Sequence, residues 1–312
     1  MKILIFFNNY LGDIILSTGT YSYFVDKYPD CKITIVCPTK FHSLFQEAPN
    51  LERMISFDKK NKDKKRFYVW KNCLFNYWDI VFDIKNSYYT KLLFYKKYKA
   101  WNGKKIKDIH RVDGINNCFS LPIGTKPKVW INEKKAFDYK LEFEKKGRRT
   151  LSISPMSSWQ GKIWPYYKDF IKKFQENYPE DHILLICAPN EKEDMKKLIK
   201  NCDVTKITCC DNEENISNVA AQISACDLFL GNDSGPMHLS SSVGTNTIGL
   251  FGPSNDVIYG PYGGDSKVIR TDLSLKEIEK IDGFAYDAKE CYMNTLPLEK
   301  VWTNFINSWN SK

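Results

Sequence analysis

The run Gly231-Asn232-Asp233-Ser234-Gly235-Pro236-Met237-His238-Leu239 gathers small, polar and titratable residues between two apolar segments. Asp227 to Leu230 before it reads as a buried parallel strand, and Leu239 to Val243 after it as the opening of a helix. A strand that breaks here and restarts as a helix collects free backbone N–H groups and the positive end of a helix dipole at one point. That arrangement suits a phosphate or diphosphate. Ser234 and His238 can donate to its oxygens, and Asp233 can accept from a hydroxyl. Taken singly, Asp-Ser-Gly is a common turn and His238 a satisfied helix residue. A second turn, Leu250-Phe251-Gly252-Pro253-Ser254, follows another apolar strand, Thr247 to Leu250. Two adjacent strand ends with small polar loops make a ligand crevice at the carboxyl edge of an α/β sheet.

Other positions have two readings each. Asp13, at a loop-to-helix junction, reads first as a helix N-terminal acid favoured by the dipole, worth roughly 0.3–1 kcal/mol. The dipole would keep it ionised and make it a weaker base. Gly12 is either a turn glycine or a point of close ligand approach. Lys162 lies five residues after Ser157, in a loop before Trp164-Pro165. It is one more exposed lysine or a cation for a diphosphate. Ser157 and Ser158 either cap a turn or hold the same oxygens. Glu191, after Cys187-Ala188-Pro189-Asn190, is a first-turn acid or a ribose ligand.

The elements that must position these residues alternate strand and helix. Ile3 to Phe7, Ile33 to Cys37 and Ile80 to Ile84 read as strands, with helices over Asp13 to Lys27 and Phe41 to Ala48. A second series follows: strands at Leu151 to Ser154, Ile183 to Cys187 and Val204 to Thr208, helices at Tyr166 to Asn177, Glu191 to Lys200 and Ile216 to Ala225. This rhythm predicts two doubly wound α/β domains with parallel sheets. The charged stretch Lys134 to Arg149 marks the boundary, giving domains over 1–148 and 149–297. The amphipathic segment Leu298 to Trp309, within 298–312, is expected to pack back toward the first domain.

Composition narrows the function. No stretch of the 312 residues approaches a membrane span, and the opening apolar run is too short and wrongly flanked for a signal peptide. Ten cysteines with no CxxC spacing predict reduced thiols in a cytoplasmic protein. Neither half carries GxGxxG, which argues against an NAD-dependent oxidoreductase. The net charge of +9 is unevenly placed: Lys59 to Arg66, which includes Lys59, Lys60, Lys62 and Arg66, holds six basic residues and one acid. Lys91 to Lys107 holds seven lysines and no acid, among Phe94, Tyr95, Tyr98 and Trp101. A solvated surface, an anionic membrane face or an acidic substrate each accounts for this. No nucleic-acid-binding signature accompanies it, so no nucleic-acid partner is expected.

Leu11-Gly12-Asp13 after the first strand resembles the opening of the bacterial heptosyltransferases, glycosyltransferase family 9. Ser157-Ser158 with Lys162 and Trp164-Pro165, Gly231 to Leu239, Leu250 to Pro253, and Tyr292-Met293-Asn294 with Glu299-Lys300-Val301 resemble further segments of that family. The resemblance implies a GT-B fold, two facing Rossmann-like domains with an interdomain cleft, acceptor on the first and sugar nucleotide on the second. It implies inverting, metal-independent heptosyl transfer from ADP-heptose to the lipopolysaccharide inner core, with no cofactor beyond the ADP-sugar substrate. Asp13 becomes the general base and Lys162 the cation on the donor diphosphate. Ser157, Ser158, Glu191, Asp233, Ser234, Gly235 and His238 become donor ligands, while Gly12, Lys59, Lys60, Lys62 and Arg66 lie on the acceptor side. A lipopolysaccharide core or other anionic glycolipid acceptor would bring the protein to the cytoplasmic face of the inner membrane. Where familiar members carry a basic residue near the first strand, this chain has Phe6-Phe7-Asn8-Asn9. A related transferase using another sugar nucleotide, or a non-catalytic nucleotide-sugar binding protein, remains an alternative.

Overall fold

In the computed structural model, residues 1–56, 62–103, 108–210, 215–286 and 289–311 are described, the side chains of 62–66 excepted. The chain divides into two compact units, Met1–Ile131 and Asn132–Lys312. No helix among the described residues is long and apolar enough to cross a membrane.

The first unit is built on a five-stranded sheet of order β3-β2-β1-β4-β5. Its strands are β1 (Lys2–Phe6), β2 (Lys32–Cys37), β3 (Leu51–Ser56), β4 (Tyr77–Asp83) and β5 (Phe94–Ala100), all parallel. Ile3, Leu4, Ile5 and Phe6 are fully buried, as a central strand covered on both faces requires. Helices α1 (Leu11–Lys27), α2 (Lys62–Leu74) and α3 (Arg111–Phe119) complete the unit. Edge strand β5 reads Phe-Tyr-Lys-Lys-Tyr-Lys-Ala. Lysines on an unpaired edge oppose pairing with other chains, and they hide the strand inside what reads as a basic patch.

The second unit has a six-stranded parallel sheet of order β11-β10-β9-β6-β7-β8. These strands are β6 (Thr150–Ser154), β7 (His182–Leu185), β8 (Ile207–Cys209), β9 (Leu228–Asn232), β10 (Thr247–Phe251) and β11 (Lys267–Arg270). The helices are α4 (Glu133–Glu144), α5 (Tyr167–Asn177), α6 (Lys192–Leu198), α7 (Ile216–Ser224), α8 (Gly235–Ser242), α9 (Asp256–Tyr259), α10 (Leu275–Ile278) and α11 (Leu298–Trp309). All ten cysteine thiols are free.

Two boundaries differ from the sequence reading. The first unit ends at Ile131 rather than at 148. The charged stretch is not a linker: Asn132 caps α4 by accepting from the Lys135 N–H, and Phe143 packs its ring on His182 at 5.1 Å. Lys135 and Lys146 then donate to Asn218 and Thr208 at 3.0 and 2.8 Å. A mostly polar helix with one buried ring covers the second sheet. Helix α11 likewise belongs to the second unit. Its Phe305 and Trp309 rings meet Phe174 at 5.7 and 5.5 Å, and Phe305 meets Phe170 at 5.1 Å. The apolar face that suggested docking on the first domain is occupied by this aromatic core.

His182 is fully buried, with Nδ1 3.3 Å from Thr150 Oγ1 and Nε2 2.9 Å from Thr208 Oγ1. Burial, and then the Lys146 charge, lower its pKa from 6.5 to about 4. The unfolded chain therefore takes up a proton at pH values where the folded chain refuses it. Stability is fully present above pH 6.5 and declines as pH falls toward about 4. Urea midpoints measured at pH 7 and pH 5 should differ less in His182→Gln than in the native protein.

Candidate active site

In the first unit, Asp13 takes its place because β1 ends at Phe6 and α1 begins at Leu11. The four residues between leave the sheet at its carboxyl edge. Tyr10, at the N-cap of α1, makes no side-chain capping bond, so the first-turn N–H groups keep their positive end. Gly12 is the second residue of α1; it offers the absence of a Cβ inside a helix, not a turn. Asn8 Nδ2 donates to Asp13 Oδ2 at 3.0 Å, and Arg111 Nη2 lies 3.7 Å from Oδ1. Burial raises the Asp13 pKa above its ordinary value, and the Arg111 charge opposes part of that rise. The sequence reading expected the helix dipole to make Asp13 a weaker base. Burial acts in the opposite sense, toward a stronger proton acceptor than a solvated carboxylate.

The second unit assembles its polar groups at the carboxyl ends of β6, β9 and β10, which are neighbours in the sheet. The chain leaving β6 carries Ser157, partly buried, and Ser158, exposed, then a short 3-10 turn, Gln160–Lys162. Lys162 Nζ pairs with Asp233 Oδ2 at 2.5 Å, across 71 residues of sequence. His238 Nε2 stands 3.8 Å from the other Asp233 oxygen, and both side chains are nearly buried. Ser234 is the N-cap of α8 without a side-chain cap bond. Its Oγ and that of Ser254 are buried with no hydrogen-bond partner among the described residues. Lys162, Asp233, Ser234, Gly235 and His238 therefore come together at one helix N-terminus.

Asn232 holds this assembly. It is fully buried at the end of β9. Its Oδ1 accepts from Trp164 N at 3.1 Å and from Tyr167 Oη at 3.0 Å, while Nδ2 donates to Pro155 O at 2.8 Å. Both ends of the Lys162 loop are thereby fixed to the strand that carries Asp233. Arg270 does similar service for the second turn, donating to the carbonyl oxygens of Gly252 and Ser254 and to Asp256 Oδ1 at 2.6 Å. Glycines keep the turns closed. A Cβ on Gly252 would lie 2.5 Å from Met293 Sδ, and one on Gly161 2.8 Å from the rings of Trp159 and Tyr292.

Other expected residues have different places. Glu191 Oε2 accepts from the Ala188 N–H at 2.7 Å, closing a turn beyond β7. Lys59 and Lys60 lie outside the described residues, and for Lys62 and Arg66 only the backbone in α2 is described. Of the second basic patch, Trp101 is buried beneath Arg111, and Tyr98 Oη lies 3.3 Å from Asp83 Oδ2. The sequence reading gives no role to Asn8, Arg111 or Arg270, and takes Asn232 only as a member of the Gly231 to Leu239 run. The one available signal is Asn232, a polar residue closing an apolar strand.

Replacing Asn232 with Ala strands two donors and a carbonyl in a buried setting. It should cost about 2–4 kcal/mol of second-unit stability in urea unfolding, at ~1–3 kcal/mol per unsatisfied group with partial relaxation.

The sequence model of glycosyltransferase family 9 (heptosyltransferase) matches residues 115–284. A lipooligosaccharide heptosyltransferase 2 of Campylobacter jejuni is 23% identical over 290 residues, covering 88% of each chain. The crystal structure of a family 9 glycosyl transferase from Veillonella parvula superposes with a TM-score of 0.78 at 21% identity, covering 100% of this chain and 98% of that one. Escherichia coli heptosyltransferase WaaC with ADP gives a TM-score of 0.73 at 16% identity, over 99% and 100% of the two chains. The two parallel α/β units thus have the GT-B fold of these structures, and the family match extends over more than half of the sequence. The chain belongs to glycosyltransferase family 9, the heptosyltransferases, and is a glycosyltransferase.

Proposed function

We propose that this enzyme transfers a heptosyl group from ADP-heptose to the inner core of a lipopolysaccharide, with inversion and without a metal. The observation that carries this reading is the Lys162–Asp233 ion pair at the N-terminus of α8, anchored through Asn232. A diphosphate there meets a lysine cation, the buried Ser234 hydroxyl and the uncapped helix end. Ser157 and Ser158 add donors from the same loop as Lys162, and Gly235 admits the oxygens to the backbone. Asp233 orients Lys162 and accepts from a donor hydroxyl, with His238 beside it. Glu191 takes a ribose hydroxyl through its remaining oxygen. The relatives' names supply the substrate class: lipooligosaccharide in one and ADP in another.

In this scheme Asp13 removes the proton from the acceptor hydroxyl as its oxygen attacks the anomeric carbon. The bond from that carbon to the diphosphate breaks, and its electron pair leaves with ADP. Lys162 offsets the charge that grows on the leaving oxygens, which is the service a metal would otherwise give. One base and one displacement invert the anomeric centre. Acceptor-dependent ADP release from ADP-heptose and heptose-free core should fall about 10²–10⁴-fold in Asp13→Asn and about 10²–10³-fold in Lys162→Ala. Asp13→Asn should keep its affinity for ADP, and Lys162→Ala should lose it. Release from UDP- or GDP-sugars alone would move the donor assignment, and tight ADP-heptose binding without turnover would make the chain a binding protein.

The acceptor brings the first unit to the cytoplasmic face of the inner membrane. Tyr88, Leu92 and Phe94 are exposed beside the exposed lysines Lys91, Lys96 and Lys97. Apolar rings and stems with cationic heads suit an anionic interface. Vesicles rich in anionic lipid should bind the protein at low salt. The triple change Lys91→Glu, Lys96→Glu and Lys97→Glu should abolish that binding while leaving ADP affinity unchanged.

A further inference from the structure

We infer that Arg111 is a positioning residue for the Asp13 carboxylate, fixing both its charge and the direction of its oxygens. The inference rests on the reading of Asp13 as the base.

Arg111 is the first residue of α3, and the cap of that helix fixes its backbone. The His110 side chain accepts from the Val112 N–H through Nδ1 at 3.1 Å. The guanidinium then lies over the Trp101 ring, 4.6 Å from its centre, and Trp101 is itself buried just beyond β5. Two unrelated segments therefore determine where the guanidinium sits. From there Nη2 stands 3.7 Å from Asp13 Oδ1. That is too long for a hydrogen bond, so charge carries the interaction. The Arg111 and Asp13 side chains are only 16% and 21% exposed, so water screens the pair little. Arg111 Nε is buried with no hydrogen-bond partner among the described residues, so no bond there draws the guanidinium away from Asp13.

The carboxylate is bracketed. Asn8 Nδ2 holds Oδ2 from the loop after β1, and Arg111 faces Oδ1 from α3. The neighbouring carboxylate on β4, Asp83, sits opposite Phe6 in register; its Oδ2 accepts from Ser87 N, Thr90 Oγ1 and Tyr98 Oη, and its Oδ1 is buried without a hydrogen-bond partner among the described residues. His110 is engaged in its cap, and Tyr10 stands exposed at the start of α1. Among these groups Arg111 supplies the opposite charge that acts on Asp13 against the effect of burial. A base in a dry site needs both influences. Burial strengthens it as a proton acceptor, and a fixed cation keeps it ionised until the acceptor arrives.

The test is a titration of ¹³C-carboxyl-labelled aspartate by NMR, with the Asp13 signal assigned by its loss in Asp13→Asn. The native protein, Arg111→Met and Arg111→Lys are compared. In Arg111→Met the midpoint should move to higher pH. Below the native midpoint the ionised fraction should fall about ten-fold or more, the usual effect of removing an opposite charge at ~4–6 Å. Arg111→Lys keeps the charge but not the planar stack on Trp101. Its midpoint should stay near the native one, while kcat falls and the KM for the donor is unchanged. The acid limb of kcat/KM should follow the NMR midpoint in all three proteins. A midpoint that Arg111→Met leaves in place, or that Lys moves as far as Met, overturns the inference. If Met misfolds, an Arg111→Lys protein with native kcat also overturns it. A shifted midpoint in a protein that transfers no sugar would uphold the Arg111–Asp13 coupling and discard the reading of Asp13 as base.

Discussion

The buried amide of Asn232 is the constraint on which the second unit's site depends. A side chain with no exposure must satisfy its polar atoms internally or cost several kcal/mol. Here the partners are Pro155, Trp164 and Tyr167, which flank the Lys162 loop on both sides. Strand β9 cannot take its place without drawing that loop with it. The short Lys162–Asp233 contact is therefore the outcome of a packed polar core, not of two flexible side chains meeting in water. An exposed pair of this kind would contribute almost nothing.

The first unit solves a related problem by other means. Asp13 lies in the first turn of α1, just beyond the buried strand β1, where dehydration works against its charge. An amide and a guanidinium compensate, the amide from the loop before α1 and the guanidinium from α3, far along the chain. Both units thus place a charged group at a strand end and immobilise it with a partner brought in by the α/β winding. The carboxyl edge of a parallel sheet favours this, because strands far apart in sequence end side by side there.

Much of this was legible in the sequence. Buried parallel strands are apolar runs, so β1, β2, β6, β9 and β10 stand out, and the small polar residues after them mark the site. What stayed hidden has physical causes. Strand β5 looks like a charge cluster because an edge strand needs lysines, and its Tyr98 and the following Trp101 turn inward. Helix α4 looks like a linker because it buries mainly one ring. Arg111 has no local signal at all: its role is defined by Trp101 and Asp13, and only folding joins the three. At Asp13 the sequence shows the helix dipole but not the depth of burial, which acts on its basicity in the opposite sense.

The aromatic core that holds α11 has a consequence for the order in which the chain acquires structure. The first unit's strands and helices all lie within its first 131 residues, so every contact that unit needs is available before the second unit has been synthesised. The second unit has no such freedom. Phe170, Phe174 and Tyr178 find their ring partners in Trp302, Phe305 and Trp309. Until those residues leave the ribosome, α5 carries an uncovered apolar face. Exposed apolar surface of this kind is what makes partly folded chains prone to aggregate, so the second unit's folding waits on its last helix.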